Sequence, residues 1–205
     1  MNRLGRRRRL GTTHDVAATC RVTAVLLDYP RDDDEWVLTQ PMSAGVRHFA
    51  VNWFELDLSE RQERYVAAFD HRRRTPLHVT YLTHGDTRNR GVALLQLKHL
   101  LTRYGFTITS GELPDYLPLL LEFAATEPRG LQVLGSYRRS VELLRRSLED
   151  LGDPFSVVVS AVAEVLPALD ESDLAAVVDI AANGPPVDSV GLGDFAPQPM
   201  AEARR

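Results

Sequence analysis

The apolar residues of this chain recur at intervals of three and four in nearly every segment, which is the spacing of one face of an α-helix. A clear example runs from Val46 to Phe54, where Phe49, Ala50 and Trp53 join the same stripe. Proline and glycine interrupt the pattern between such segments. Alternating apolar and polar runs that could pair as strands are missing. The pattern therefore predicts an all-α bundle of about eight or nine helices.

Short sequence signals indicate where several of these helices begin. Ser59 and Gln62 form a capping box, so we expect Ser59 to be the N-cap of a helix that reaches Phe69. Thr75 followed by Pro76 has the pattern of an N-cap with proline at the first helical position. These signals predict two helices separated by a short arginine-rich loop.

The segment Leu77–Thr83 is rich in β-branched and aromatic residues and could also form a strand. A lone strand would leave its edges unpaired, and no partner strand is predicted elsewhere. We therefore expect a helix here, ended by Gly85, and a long helix capped by Asp86 or Thr87 that ends at Gly105. The long helix is expected to bury Val92, Leu95, Leu97, Leu100, Leu101 and Tyr104.

The next part of the chain predicts two further long helices. One spans Leu113–Ala125, with Pro114 and Pro118 near its start. Another runs without a break from Thr126 to a stop at Gly152. Two shorter helices, 154–166 and 170–182, complete the bundle.

The two ends of the chain differ from this helical region, which we expect to span residues 13–184. Residues 1–12 form a basic N-terminal extension, and residues 185–205 contain proline and glycine without an apolar period. Such a tail buries too little apolar surface to offset its ordering entropy, which predicts a mobile segment. The alternative is a tail that docks into an open groove through its apolar residues Val187, Val190, Leu192 and Phe195.

Composition narrows the class of protein. The chain has 205 residues, of which 44% are hydrophobic and 25% charged, as in ordinary soluble domains. Its only cysteine, Cys20, excludes a disulfide scaffold and a cysteine-rich zinc site. No apolar run is long enough to span a membrane or to serve as a signal peptide. We therefore expect a cytoplasmic protein that is not an integral membrane protein.

Signals for catalysis or nucleic-acid binding are weak. The chain has no P-loop, no G-x-G-x-x-G and no G-x-S-x-G motif. His84 and Asp86 leave a small metal-dependent hydrolase as an alternative, although a metal site needs three or four converging ligands. Arginine clusters at residues 6–9 and 72–74 would attract phosphates, but the sequence pI of 5.9 argues against a nucleic-acid binder. We expect no catalytic residue, no metal and no nucleic-acid partner.

Two segments stand out as candidates for a binding function. The first, Tyr81–Gly91, is a charge-dense junction between helices. The second, Glu112–Phe123, begins with two prolines four residues apart and continues as an almost entirely apolar helix. The residues of interest in the first segment are His84, Asp86, Arg88 and Arg90.

These strings, with Leu26-Leu27-Asp28-Tyr29-Pro30 upstream, resemble the nitrate reductase assembly chaperones, the NarJ or delta subunit branch of the TorD/DmsD redox-enzyme maturation family. The resemblance extends over most of the chain, from about residue 16 to about residue 169. The family signature is an acidic residue, a spacer and then Pro-Asp-His-Leu. Tyr116 replaces the histidine, as fits the nitrate reductase branch, and the matching residues are Glu112, Pro114, Asp115 and Leu117.

The resemblance implies an all-α cytoplasmic chaperone that is not a subunit of the finished enzyme. Its partner would be the N-terminal segment of the catalytic (alpha) subunit of respiratory nitrate reductase, held until the molybdenum cofactor is inserted. The chaperone itself would bind no cofactor permanently. Proteins of molybdenum cofactor biosynthesis are further candidate partners. A chaperone for another molybdoenzyme is the alternative within the family.

The resemblance also implies a peptide-binding site in the second segment. A client helix with a basic end and an apolar face requires an apolar groove flanked by carboxylates. We expect Asp115 to be a solvent-exposed capping carboxylate of this site, whose removal would cost only ~1 kcal/mol. The full set of expected site residues is Glu112, Leu113, Pro114, Asp115, Tyr116, Leu117, Leu120 and Glu122.

Overall fold

The computed structural model describes residues 13–109 and 111–186, and these ranges contain ten α-helices and one short 3-10 helix. The basic extension and all but the first two residues of the tail therefore lie outside the described residues. The all-α prediction is confirmed. The helices are α1 (Thr13–Leu27), the 3-10 helix (Asp34–Thr39), α2 (Ala44–Phe54), α3 (Leu58–Phe69), α4 (Val79–His84), α5 (Arg88–Arg103), α6 (Leu117–Thr126), α7 (Gly130–Gly135), α8 (Arg138–Asp150), α9 (Phe155–Val165) and α10 (Glu171–Asn183).

The centre of the bundle is α6, which packs along α1 and buries every side chain from Leu117 to Leu121. Behind this pair, α9 packs against α1, α2 and α8, while α10 lies on the outside of α8. Phe155 of α9 contacts the rings of Phe49, Trp53 and Phe69, with centroid distances of 5.1, 5.0 and 4.8 Å. Each such aromatic side chain contributes a few kcal/mol on burial, so this cluster joins α2, α3 and α9 firmly.

Thr87 is the N-cap residue of α5, as predicted, but the predicted N-caps Ser59 and Thr75 are wrong. Helix α3 begins two residues earlier, because the carboxylate of Asp57 accepts a hydrogen bond from the backbone N–H of Glu60. Asp57 competes with Ser59 as a cap and has the better position relative to Glu60. Thr75 is buried and caps the other end of α3, since its hydroxyl donates to the carbonyl of Ala68.

The segment that could have formed a strand is divided between two conformations. Residues 79–84 form α4, as expected, but His78 is extended and forms an isolated antiparallel bridge with Tyr116 before α6. The backbone N–H of Val79 donates to the carbonyl of Asp115, and that of Leu117 donates to the carbonyl of Leu77. This two-residue pairing supplies the partner that the sequence pattern did not reveal.

The same pairing shortens the helix that was predicted from Leu113. Because Leu117 donates its N–H to Leu77, residues 113–116 lie outside the helix, and α6 begins at Leu117 with Pro118 in its first turn. The helix predicted from Thr126 to Gly152 is likewise divided into α7 and α8. The break falls at Tyr137, whose φ and ψ of −102° and 17° are not helical.

Helix α5 buries less of its apolar face than its pattern predicts. Leu97 and Leu101 are buried, but Val92 and Leu95 are both 56% exposed. Among the described residues, no helix combines the length and the apolar character that a bilayer-spanning helix requires.

Candidate functional site

The three strings that carry the family resemblance meet around one turn segment, Leu113–Tyr116, in which the backbone N–H of Tyr116 donates to the carbonyl of Leu113. Asp115 and Tyr116 are neighbours in this segment, and their side chains reach different partners. Asp115 contacts α4 and α5, whereas Tyr116 contacts the ends of α1 and α3. The segment therefore links residues that lie far apart in the sequence.

Tyr116 belongs to a buried hydrogen-bond chain. Its hydroxyl donates to the Oδ1 atom of Asp28 at 2.9 Å and lies 2.8 Å from the hydroxyl of Tyr65. A phenol has one proton, so Tyr65 donates to Tyr116 while Tyr116 donates to Asp28. Burial raises the pKa of both phenols, and the charge of Asp28 adds to this effect. Both tyrosines therefore remain protonated, and this chain of hydrogen bonds holds the carboxylate of Asp28 in place.

Asp115 is fully buried, which corrects its expected role as a solvent-exposed capping group. Its Oδ2 atom accepts hydrogen bonds from the backbone N–H and the hydroxyl of Thr80. Its Oδ1 atom lies 3.1 Å from Nδ1 of His78, and Arg90 lies 3.8 Å from Oδ2. A buried carboxylate with these partners fixes α4, α5 and the start of α6 relative to one another, so it cannot meet a client directly.

The pKa of Asp115 reflects two opposing effects. Burial alone would raise it, but the hydrogen bonds from His78 and Thr80 and the charge of Arg90 hold it below its usual range. The folded state therefore stabilises the ionised form of Asp115 more than the unfolded chain does. This contribution to stability is present at neutral pH and is lost as the pH falls through the folded-state pKa.

Of the residues of interest in the segment Tyr81–Gly91, some have structural partners within the fold and others lie at the surface. Arg90 donates to the hydroxyl of Thr80 and also pairs with Asp86, which is 75% exposed. His84 turns its Nδ1 atom toward the carbonyl of Thr80 and the hydroxyl of Thr83, not toward Asp86. Arg88 is exposed at the start of α5.

His84 and Asp86 thus do not form the pair that a metal-dependent hydrolase would use. Within the described residues, no group of three or more His, Cys, Asp or Glu side chains is arranged to hold a metal ion.

Beside this turn segment lies a pocket of about 350 Å³, which we call the acidic pocket. It is lined by the carboxylates of Asp28, Glu112 and Glu122, and Arg31 is the cation in its lining. Arg31 pairs with Asp28 at 2.9 Å. Burial raises the pKa of Glu122, and the charge of Asp28 raises it further. The pocket therefore carries excess negative charge that an incoming cation would relieve.

A second concavity, of about 570 Å³, adjoins the acidic pocket, and we call it the apolar groove. The two share Phe106, Thr107, Ile108 and Glu112 in their linings. Its volume falls in the range of pockets that hold a ligand side chain or a short peptide segment. Its apolar lining residues are Leu94, Leu95, Leu101, Phe106, Ile108 and Leu113.

Only part of the expected peptide-binding set lies at this surface. Glu112, Leu113 and Glu122 are exposed, and the largely buried Tyr116 lines the acidic pocket. Pro114 is buried but lines the apolar groove. Leu117 and Leu120 have no exposed surface and belong to the core, which corrects their expected place in a groove.

Several residues of the surface were not predicted from the sequence. Asp28 reaches the acidic pocket from α1, and Leu94 and Leu95 reach the apolar groove from α5. The sequence did contain one signal for Leu94 and Leu95. Helix α5 has more apolar residues than a single buried face can hold, so some of them have to lie at the surface. Phe106 and Ile108 lie in an irregular segment, for which periodicity gives no information.

Comparison with known proteins identifies the class of fold first. The structure resembles a crystal structure described as a putative redox enzyme maturation protein from Archaeoglobus fulgidus, with a TM-score of 0.58 over 80% of this chain and 96% of that chain. Sequence identity is 18%, so this likeness concerns the fold. The chain thus has the all-α fold of a redox-enzyme maturation protein.

Sequence comparison identifies the family. Residues 39–157, more than half of the chain, match the family described as "Nitrate reductase delta subunit", and the chain belongs to this family. It is 37% identical over 126 residues to the probable nitrate reductase molybdenum cofactor assembly chaperone NarJ of Bacillus subtilis, covering 55% of this chain and 67% of that protein. It is 38% identical over 80 residues to the NarJ chaperone of Escherichia coli.

The second match covers 39% of this chain and 34% of the E. coli protein, so the chain matches about a third of that relative's length. The expected resemblance is confirmed, and so is the expectation of a family of maturation chaperones and not of enzymes.

Proposed function

We propose that this protein is a cytoplasmic chaperone that binds the N-terminal segment of the apo catalytic (alpha) subunit of a respiratory nitrate reductase. It would keep that subunit off the membrane until the molybdenum cofactor has been inserted, without becoming part of the finished enzyme. The relatives named as nitrate reductase molybdenum cofactor assembly chaperones support two parts of this proposal: nitrate reductase as the client, and the molybdenum cofactor as the group that is inserted. The cofactor belongs to the client, and the chaperone holds none permanently.

The observation that carries the proposal is the continuity of the apolar groove with the acidic pocket. Phe106, Ile108 and Glu112 border both, so one short helical peptide can place its apolar face and its basic end at the same time. Apolar burial would supply most of the affinity, while Glu112 and Glu122 would pair with client arginines. Affinity should therefore fall as salt concentration rises, because exposed charge pairs are screened.

Calorimetry with a synthetic peptide of the client's N-terminus tests the proposal. Leu95→Asp places a charge in the apolar groove and should weaken binding at least about tenfold, which corresponds to ~1.4 kcal/mol. Val51→Asp is the matched control, because Val51 is similarly apolar, 42% exposed and on α2. Equal affinities of the wild-type protein and Leu95→Asp would show that the groove is not the client site.

The identity of the client requires a separate comparison. N-terminal peptides from nitrate reductase and from another molybdoenzyme of the same cell, assayed side by side, should differ by at least about tenfold in favour of nitrate reductase. A preference for the other peptide would support the alternative, a chaperone for that molybdoenzyme. A pull-down from nitrate-respiring cells tests the same point with full-length clients.

A further inference from the structure

The described chain ends in contact with the end of α4. The end of α10 is tied to the loop between α3 and α4, where Arg74 donates a hydrogen bond to the carbonyl of Ala181 at 3.0 Å. After the turn at Gly184, the backbone of Pro186 lies directly on Gly85, where a Cβ atom would be 1.8 Å from the Pro186 carbonyl oxygen. The chain therefore leaves the bundle at the junction of α4 and α5.

Helix α5 leads from this exit point to the apolar groove. Gly91, Leu95, Lys98 and Thr102 are spaced four, three and four residues apart, so they share one face of the helix. The last three line the groove, and a side chain at Gly91 would meet nothing within 4 Å. The groove is thus open along α5 toward the residue from which the C-terminal segment departs.

The length and composition of the C-terminal segment fit this path. Nineteen residues follow Pro186. The distance along α5 from Arg88 to Lys98 is about 15 Å, whereas nine extended residues span up to about 30 Å. Asp188 and Asp194 complement Lys98, the chain's only lysine, which lines the groove. The apolar residues among the first nine are Val187, Val190, Leu192 and Phe195.

We infer that residues 187–195 occupy the apolar groove in the client-free protein, so that a client has to displace them. The inference rests on the proposed function, since it assigns the client and the tail to the same groove. A short tether holds a segment at an effective concentration of the order of 1 mM. With an intrinsic dissociation constant of about 0.1 mM, the tail would lower the apparent client affinity about tenfold.

Thiol labelling of the full-length chain tests the inference without any client. Leu95→Cys provides a reactive thiol in the groove, while native Cys20 stays silent because burial raises its pKa to about 11. We expect labelling of Leu95→Cys to accelerate about tenfold when Leu192→Asp and Phe195→Asp are added. Ala201→Asp with Ala203→Asp adds the same charge outside the segment and should leave the rate unchanged.

The labelling rate has two outcomes that overturn the inference. A rate that does not change with Leu192→Asp and Phe195→Asp means that the segment is not in the groove. A slow rate that increases on dilution of the protein means that a second copy of the chain covers the groove instead. Val51→Cys on α2 serves as the control site and should react equally in all backgrounds.

Peptide binding separates this inference from the proposed function. The full-length Leu192→Asp/Phe195→Asp variant should bind the client peptide about tenfold more tightly than the wild type, and a synthetic peptide of residues 187–205 should compete for the same site. Equal affinity of both proteins for the client, without competition, overturns the inference and leaves the proposed function intact. Failure of both proteins to bind the client, with the labelling difference preserved, overturns the proposed function alone.

Discussion

Asp115 and Tyr116 are adjacent in the sequence but have different structural roles. The buried carboxylate of Asp115 joins α4, α5 and α6 through Thr80, His78 and Arg90. The phenol of Tyr116 joins α1 and α3 through Asp28 and Tyr65 and also borders the acidic pocket. Tyr116 thus acts on the candidate site through the orientation of Asp28, whereas Asp115 acts only through the fold.

Asp115→Asn should destabilise the protein by about 2–4 kcal/mol, because it leaves Arg90 and His78 beside a buried neutral amide. Urea unfolding at pH 7 measures this loss. Asp86→Asn is a matched control, since Asp86 pairs with the same arginine but is exposed, and its loss should cost less than about 0.5 kcal/mol. Equal effects of the two substitutions would contradict the buried ion-pair account.

Tyr116→Phe keeps the ring and removes the hydroxyl that joins Tyr65 to Asp28. We expect a loss of about 2 kcal/mol in the free energy of unfolding, because a hydrogen bond to a charged group and a second buried hydrogen bond are lost together. Client affinity should also fall, since Asp28 then keeps only its ion pair with Arg31 in the acidic pocket. Tyr29→Phe, at a ring that is 43% exposed, should leave the free energy of unfolding nearly unchanged.

At the scale of single elements, α7 depends on one glycine. A Cβ atom at Gly130 would lie 2.5 Å from Cα of Ala124 and 2.6 Å from the carbonyl oxygen of Phe123. These are backbone atoms of α6, so they cannot move aside as the end of a flexible side chain can. The close approach of α7 to α6 therefore requires a residue without a side chain.

Gly130→Ala should destabilise the protein by about 1–3 kcal/mol, even though alanine favours a helix by about 1 kcal/mol over glycine. Gly135→Ala in the same helix has its nearest new contact at 3.5 Å, with the side chain of Pro167, and should be neutral or stabilising by up to about 1 kcal/mol. Thermal unfolding of the pair is the measurement. A stabilised Gly130→Ala protein would refute the close approach of the two helices.

Helix periodicity predicted most elements, because the apolar residues that a helix buries recur every three or four positions in its own sequence. It identified α2, α9 and α10 and the glycine that ends α5. It could not predict that Asp115 is buried, because its partners His78 and Thr80 lie 37 and 35 residues away in the chain. The acidic pocket was only half predicted, since Asp28 joins Glu112 and Glu122 through the packing of α1 on α6.

At the scale of the whole molecule, two buried carboxylates make stability depend on pH. Asp115 is one, and Glu142 on α8 is the other, since its side chain is 7% exposed and accepts hydrogen bonds from Arg138, Arg145 and Arg146. The hydrogen bond from Arg145 is the largest effect on Glu142 and lowers its pKa from 4.5 to about 2. Both groups favour the ionised, folded state.

Glu142→Gln should lower the free energy of unfolding by about 2 kcal/mol at pH 7. The folded pKa is below the unfolded value, so the stability that Glu142 contributes is complete above pH 4.5 and is lost as the pH falls toward 2. The difference between the wild type and Glu142→Gln should therefore shrink between these limits in urea titrations. Glu149→Gln, at a side chain that is 47% exposed and pairs with the same Arg145, is the matched control and should cost less than about 0.5 kcal/mol at pH 7.

The packing of α1 on α6 has a consequence for the synthesis of the chain. Asp28 at the end of α1 meets Tyr116 at the start of α6, a separation of 88 residues. At a translation rate of about 5–20 residues per second, the apolar face of α1 waits roughly 5–20 s on the ribosome before its partner exists. During synthesis α1 therefore presents an uncovered apolar face for this interval, until α6 has left the ribosome.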